Sequence, residues 1–154
     1  RNMQKTDVPR LAEIYVEVYT NFDVGERWTV TTAKDLLNYW LKRQPDLTFV
    51  AEINNELVGV FVAGVKPWWD GNHLVDGEIF VHPKFQKTGI GTELSKVMYH
   101  TALDKYKVVS FDTYTFSKTE FPLRWYKKQG FKEIKEWVMI TADLRKVLQN
   151  LNKR

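Results

Sequence analysis

The sequence predicts an α/β (α+β) fold in which helices cover a mixed sheet, and two observations carry that prediction. Amphipathic helical stripes alternate with short runs of strand-forming residues along most of the chain. The run at 77–81 is followed by a tight, glycine-bearing loop and then by another helical stripe. With 154 residues, the chain is expected to form one domain spanning 1–154.

Two helices are predicted before the first strand run. The first begins near Asp7, a candidate N-cap residue, and its apolar stripe includes Tyr15 and Tyr19 as core residues. The second begins at a capping box in 32–35. Residues 1–5 have room only for a short strand.

The strand runs are separated by turn-forming residues. Asn54-Asn55 predicts a two-residue hairpin turn, and 66–72 predicts a polar turn that carries two adjacent tryptophans. The predicted strands are 48–53, 56–65, 77–81, 108–114 and 131–140. The later helices are predicted at 90–102, 124–129 and 143–151, and the last of them packs on the sheet or against a second subunit.

Composition excludes several classes of function. The chain has no cysteine, which excludes disulfides, thiolate metal sites and a cysteine nucleophile. Its formal net charge of +4 comes from scattered lysines, and Lys127-Lys128 alone is too little for a nucleic-acid interface. No apolar run is long enough to span a membrane and no signal peptide is evident, so we expect a cytoplasmic protein without membrane partners.

The loop after residue 81 predicts a phosphate-binding site. Pro83 ends the strand, and the first-turn amides of the following helix have no partner within the helix. The helix dipole adds partial positive charge there, and Lys84 and Lys87 add full charges. The run is not a P-loop, and a dinucleotide fingerprint fails because Leu94 replaces its third glycine.

The same run reads V-H-P-K-F-Q-K-T-G-I-G-T-E-L and resembles the acetyl-CoA loop of the GNAT N-acetyltransferase superfamily. Gln86, Gly89 and Gly91 fill the places of its [Q/R]-x-x-G-x-[G/A] signature, downstream of V-x-P. Residues 125–131 resemble the Y-x-x-x-G-F element of that family. The resemblance covers at least 48–140.

The resemblance implies a mostly antiparallel mixed sheet that splays in a V between the strands at 77–81 and 108–114, with helices on both faces. It implies acetyl-CoA as co-substrate in that gap. No metal is expected, because His73 and His100 show no metal-ligand spacing. The Phe80 and Val81 main chain would hold the pantetheine arm, and the Val81 N–H would polarise the thioester. The pyrophosphate would be bound by the main-chain N–H groups of Gln86, Lys87, Thr88, Gly89, Ile90, Gly91 and Thr92.

For catalysis, the resemblance implies that Tyr126 protonates the leaving sulfur. Glu78 is the first candidate for the base, with Asp76 or water as alternatives. Strand alternation also allows Glu78 to face solvent. His82 is expected to be exposed, because it stands beside Pro83 where the strand leaves the sheet, and no histidine shows metal-ligand spacing. Many relatives carry an Asn before the tyrosine helix; here it is absent, with Ser117 or Thr119 as candidate substitutes.

The predicted acceptor site is less well defined. Trp28, Trp68, Trp69 and Asp76 are the candidate substrate-binding residues. The adjacent tryptophans would equally suit a hairpin tip packed on a helix or a dimer contact. Several carboxylates would attract a cation if their loops meet: Asp23, Glu26, Asp70, Asp76 and Glu78.

The function expected from the sequence is direct acetyl transfer from acetyl-CoA to a primary amine on a small molecule or peptide. One alternative is a non-catalytic module that binds or senses acyl-CoA. Within enzymes, Pro122-x-x-Trp125-Tyr126 resembles aminoglycoside 6′-N-acetyltransferases. No nucleic-acid partner is expected, and a homodimer is possible.

Overall fold

A computed structural model describes residues 1–22, 25–118 and 120–153. Its strands are β1 (Thr48–Ile53), β2 (Glu56–Trp68), β3 (Gly71–Val81) and β4 (Val108–Asp112). Its α-helices are α1 (Val8–Phe22), α2 (Val30–Arg43), α3 (Ile90–Tyr106), α4 (Glu120–Lys128) and α5 (Leu144–Leu151). The chain divides into two compact units, Arg1–Tyr114 and Thr115–Arg154, and the single-domain assignment stays a prediction.

The four strands form one sheet in the order β1-β2-β3-β4. The first two pairs are antiparallel, whereas β3 and β4 are parallel. The crossover between these parallel strands contains α3, as a parallel connection requires. The predicted mixed, mostly antiparallel sheet is therefore confirmed.

Helices cover both faces of this sheet, and strand alternation explains why. Val60 and Val62 point into a core formed with α1 and α2. Phe61 and Ala63, the residues between and after them, point into a second core formed with Leu94 and other residues of α3. Each face of the sheet is thus apolar and buried, which fixes the register of the strands.

The middle of β3 carries an irregularity that shapes the rest of the sheet. Val62 pairs with Glu78 and Gly64 with Val75, so Asp76 and Gly77 together face a single residue of β2. Both have left-handed backbones, with φ of 53° and 92°. Pairing between β3 and β4 ends at the same place, at Val75 and Asp112. Beyond it, β3 continues to Val81 paired only with β2 among the described residues.

A buried histidine joins β3 to β4 at the paired end. His73 Nδ1 lies 2.5 Å from Asp112 Oδ2, and its Nε2 lies 2.7 Å from Asp70 Oδ1 at the hairpin turn. The hydrogen bond with Asp112, followed by that with Asp70, raises the pKa of His73. The two carboxylates therefore favour a charged imidazole that ties the hairpin to the last strand.

Several predicted boundaries were wrong. The strands around the tryptophans run further than expected, leaving a turn only at Trp69 and Asp70. The α2 capping box is formed by Thr29 and Thr32, because the Thr29 side chain accepts from the Thr32 amide.

The second unit contains α4 and α5. Its Gly130 has a φ of 98°, the left-handed conformation typical of a residue that ends a helix. The strand predicted at 131–140 is absent, because these residues form no ladder within the described chain. None of the helices in the described ranges has the length and apolar character needed to cross a bilayer.

We expect Gly77→Ala to destabilise the protein more than Gly25→Ala. Both glycines have φ near 90°, so both substitutions carry the left-handed cost of about 1–2 kcal/mol. A Cβ at Gly77 would also lie 2.3 Å from the Val62 carbonyl, whereas Gly25 has open space. Urea unfolding should give a difference between the variants of about 2 kcal/mol or more. Equal losses would show that the bulge tolerates a side chain.

Candidate active site

The loop after β3 presents main-chain amides that have no internal partner. A 3₁₀ turn at Pro83–Phe85 leads into Lys87 and Gly89, whose φ values are 64° and 93°, and α3 begins at Ile90. Within the described chain, no acceptor is recorded for the amides of 87–92. A row of free N–H groups at the start of a 17-residue helix suits the oxygens of a phosphate or pyrophosphate.

Side chains hold this loop in place. The Thr88 hydroxyl donates to the Phe85 carbonyl at 2.6 Å. His82 accepts from the Lys84 amide through Nδ1 at 3.2 Å. The expectation that His82 is exposed was wrong: only 4% of its surface is accessible, and its Nε2 lies 3.7 Å from a carboxylate oxygen of Glu17.

The Val81 main chain points towards the open edge of β3. The His82 amide donates to the Val58 carbonyl of β2 at 2.8 Å. Because neighbouring amides of a strand point to opposite edges, the Val81 N–H points away from β2. The Gln86 side chain donates to the Val81 carbonyl at 3.0 Å, which links the phosphate loop to this edge.

Glu78 lies on the face of β3 that packs against α1. Its Oε2 accepts a hydrogen bond from the Tyr19 hydroxyl at 2.9 Å, and its side chain is half-buried. Burial raises the pKa of Glu78 to about 7, although the Tyr19 hydrogen bond acts in the opposite direction. A carboxyl group poised near neutral pH suits a general base.

Aromatic rings form the wall beside Glu78. Tyr15 stacks on Tyr19 with ring centroids 4.4 Å apart and meets Trp28 edge-on at 4.9 Å. The Trp28 Nε1 donates to a Glu26 carboxylate oxygen at 2.6 Å. The structure therefore brings Trp28 and Glu26 into the surroundings of Glu78.

The pKa of Tyr114 indicates which other charged groups lie near Glu78. Burial, followed by the negative charges of Asp76, Glu78 and Glu26, raises its pKa. Asp76 itself is exposed in the bulge. Three of the five carboxylates proposed from the sequence thus act on one phenol, whereas Asp70 bonds to His73 elsewhere and Asp23 lies outside the described residues.

The adjacent tryptophans are not brought together with Glu78. Trp68 ends β2 and Trp69 is 86% exposed in the hairpin turn, at the opposite end of β3 from Val81. Gly71 and Glu78 are seven positions apart on β3, a span of roughly 20 Å at about 3.3 Å per residue. Lys66 Nζ covers the Trp68 ring at 4.1 Å.

Tyr126 lies in the second unit. Its ring packs edge-on against Trp125 at 5.0 Å and against Phe131 at 5.1 Å. The Phe131 amide returns to the Tyr126 carbonyl at 3.2 Å, so the helix end at Gly130 folds back on the tyrosine. Of the candidates for the missing Asn, Ser117 is exposed and Thr119 lies outside the described residues.

Sequence reasoning missed Tyr19, which it assigned to core packing. A signal was present, because Tyr15 and Tyr19 are four residues apart and so share one helix face. The pairing of that face with Glu78 depends on the register of β3 and could not be read from spacing. The described residues contain no group of three or more His, Asp or Glu side chains able to hold a metal.

Comparison with known proteins finds two related sequences. The chain is 30% identical over 146 residues to an uncharacterised N-acetyltransferase of Methanocaldococcus jannaschii, covering 90% of this chain and 63% of that relative. It is 34% identical over 117 residues to an uncharacterised N-acetyltransferase of Archaeoglobus fulgidus, covering 71% of this chain and 77% of that protein.

The fold also matches a solved structure. A possible acetyltransferase from Clostridium difficile superposes with a TM-score of 0.75 at 14% identity, covering 93% of this chain and 95% of that one. The model of the Acetyltransferase (GNAT) family matches residues 8–131. The chain therefore belongs to the GNAT acetyltransferase family.

Proposed function

We propose that this protein is an N-acetyltransferase that moves the acetyl group of acetyl-CoA directly to a primary amine. The observation that carries the proposal is the pairing of two features in one unit. A loop of free amides stands at the end of β3, and a carboxyl group with its pKa near 7 stands three residues before that end. The first suits an anionic co-substrate, and the second suits an amine that must lose a proton.

The residues of the loop are suited to bind the pyrophosphate of acetyl-CoA. Acetyl-CoA supplies the acetyl group as a thioester. The amides of 87–92 are free, Lys87 adds positive charge, and a Cβ at Gly89 would meet nothing within 4 Å. The Gln86 side chain closes the loop onto Val81. Phe80 and Val81 would then hold the pantetheine arm with their main chain.

Three groups of the chain would carry the reaction. The Val81 N–H would donate to the thioester oxygen as negative charge develops on it. Glu78 would remove the proton of the attacking amine, directly or through water. Tyr126 would give its phenolic proton to the leaving sulfur, a role proposed from its motif, since a phenol and a thiol have similar pKa values.

The acceptor is proposed to be a cationic amine of a small molecule or peptide. The charges of Glu26, Asp76 and Glu78 act together on Tyr114, and Trp28 offers an aromatic surface beside them. An aminoglycoside is one example of a cationic amine that would suit such a site. Trp68 and Trp69 remain candidate contacts only for a ligand long enough to reach the hairpin turn.

A non-catalytic acyl-CoA-binding module is the second candidate function, favoured by the same loop. A screen for thiol release from acetyl-CoA with amines, antibiotics and peptides separates the two. Release with at least one amine supports the enzyme. Tight CoA binding without release across the panel supports the module.

A cytoplasmic homodimer stays a prediction. The exposed apolar residues Leu144, Leu148 and Leu151 of α5 are one candidate contact for the dimer.

We expect Gly89→Glu to abolish CoA binding, because the new carboxylate would stand among the amides and repel a pyrophosphate. Gly130→Glu is the matched control, since Gly130 has a φ of 98° against 93° and equally open surroundings. Isothermal titration with CoA should show binding lost only in the first variant. Equal affinities in both variants would reject the loop as the CoA site.

We expect Glu78→Gln to lower kcat/KM about 10²-fold or more, because a neutral amide cannot accept a proton. In the unchanged protein, kcat/KM should rise as pH increases through about 7, where Glu78 loses its proton. Asp76→Asn is the matched control for the alternative base. Should Asp76→Asn cause the larger loss, the base would be Asp76.

We expect Tyr126→Phe to lower kcat with little change in KM for acetyl-CoA, because only proton donation to the sulfur is lost. The loss should be about 10²-fold. Tyr39→Phe removes an exposed hydroxyl and should leave kcat unchanged. An unchanged kcat in Tyr126→Phe would assign the proton donor elsewhere.

A further inference from the structure

We infer that Tyr19 is the positioning residue for Glu78: its hydroxyl donates to one carboxylate oxygen of the proposed base and holds that oxygen in place. The inference rests on the proposed function, because it gives Glu78 a catalytic role. It concerns a residue that spacing alone had assigned to the core. The evidence comes from one direct contact and from the packing that fixes it.

The contact is short and joins two elements that are far apart in sequence. The Tyr19 hydroxyl of α1 donates to Glu78 Oε2 of β3 at 2.9 Å across 59 positions. A hydroxyl that donates to a carboxylate stabilises the charged form and holds the oxygen in one place. Glu78 therefore meets its substrate with one oxygen already fixed.

Packing leaves the Tyr19 ring little freedom. It stacks on Tyr15 at 4.4 Å with an interplanar angle of 21° and lies 6.4 Å from the Trp28 ring. Tyr15 is 1% exposed and meets Phe80 edge-on at 5.1 Å. The Tyr19 ring is thus held against the buried ring of Tyr15 and beside the partly buried ring of Trp28.

The charges around Glu78 explain why this hydrogen bond matters. Burial and the nearby carboxylate of Glu26 favour the protonated acid, and the hydroxyls of Tyr19 and Tyr15 oppose them. Asp76 and Glu26 also lie close enough to act on Tyr114, which faces the same region. The hydroxyl of Tyr19, together with that of Tyr15, therefore stabilises the negative charge of Glu78 against burial and the charge of Glu26.

The test compares Tyr19→Phe with Tyr39→Phe, which removes a hydroxyl that accepts only from Arg43 on the surface of α2. The Glu78 carboxyl is titrated by ¹³C NMR in the free protein and identified by its loss in Glu78→Gln. The pH profile of kcat/KM is recorded with the amine that releases thiol. In Tyr19→Phe, we expect the pKa of Glu78 from NMR and the pKa from the kcat/KM profile both to rise by about one pH unit. Neither pKa should change in the control.

If Tyr19→Phe fails to fold, 3,5-difluorotyrosine at position 19 replaces it. Its more acidic hydroxyl is a stronger donor, so both titrations should move down. An NMR titration that stays fixed overturns the role of Tyr19. An NMR shift without a kinetic shift overturns the positioning role, because Glu78 would then not be the base. Absence of thiol release in the unchanged protein instead overturns the proposed function, and the NMR titration still decides the contact.

Discussion

The end of the β3–β4 pairing is the constraint on which the rest of the structure depends. Asp76 and Gly77 stand together opposite Ala63 of β2, and the parallel pairing with β4 stops at Val75 and Asp112. A ladder that continued to Val81 would use up the amides of that edge. Because it stops, the last residues of β3 keep an open edge next to the phosphate loop.

The bulge also decides which side chains meet on the α1 face of β3. Because Asp76 and Gly77 together oppose a single residue of β2, Glu78 and Phe80 lie on the α1 face of β3. The Phe80 ring packs there against Tyr15 of α1. A half-buried carboxyl group on a core-facing position is costly unless it is hydrogen-bonded or protonated. Tyr19 supplies the hydrogen bond to Glu78, and burial raises the pKa of Glu78. The bulge at Asp76 and Gly77 thus lies between the end of the β3–β4 pairing and this titratable carboxyl group.

Much of this architecture could be predicted from sequence, because it follows from local patterns. The glycines, the proline and the helical stripe predicted the loop that leads from β3 into α3, and phosphate binding by that loop stays a prediction. Cover by helices followed from the alternation of helical and strand-forming runs along the chain, and its presence on both faces from the resemblance to the GNAT superfamily. Long-range register was not visible: the contact between Tyr19 and Glu78 and the burial of His82 depend on how distant elements align. The strand at 131–140 was predicted from a strand-like run without turn residues, a local pattern that cannot say whether a partner strand exists.

The Asp70–His73–Asp112 linkage has a consequence for the opposite end of β3. Its imidazole has a raised pKa, so the attraction that ties the hairpin to β4 is complete in mildly acidic solution and fades as pH rises through that value. Glu78 gains its negative charge as pH rises through about 7. Rising pH therefore acts in opposite ways at the two ends of β3: it weakens the charged contact of His73 with its two carboxylates, and it favours the negative charge on Glu78.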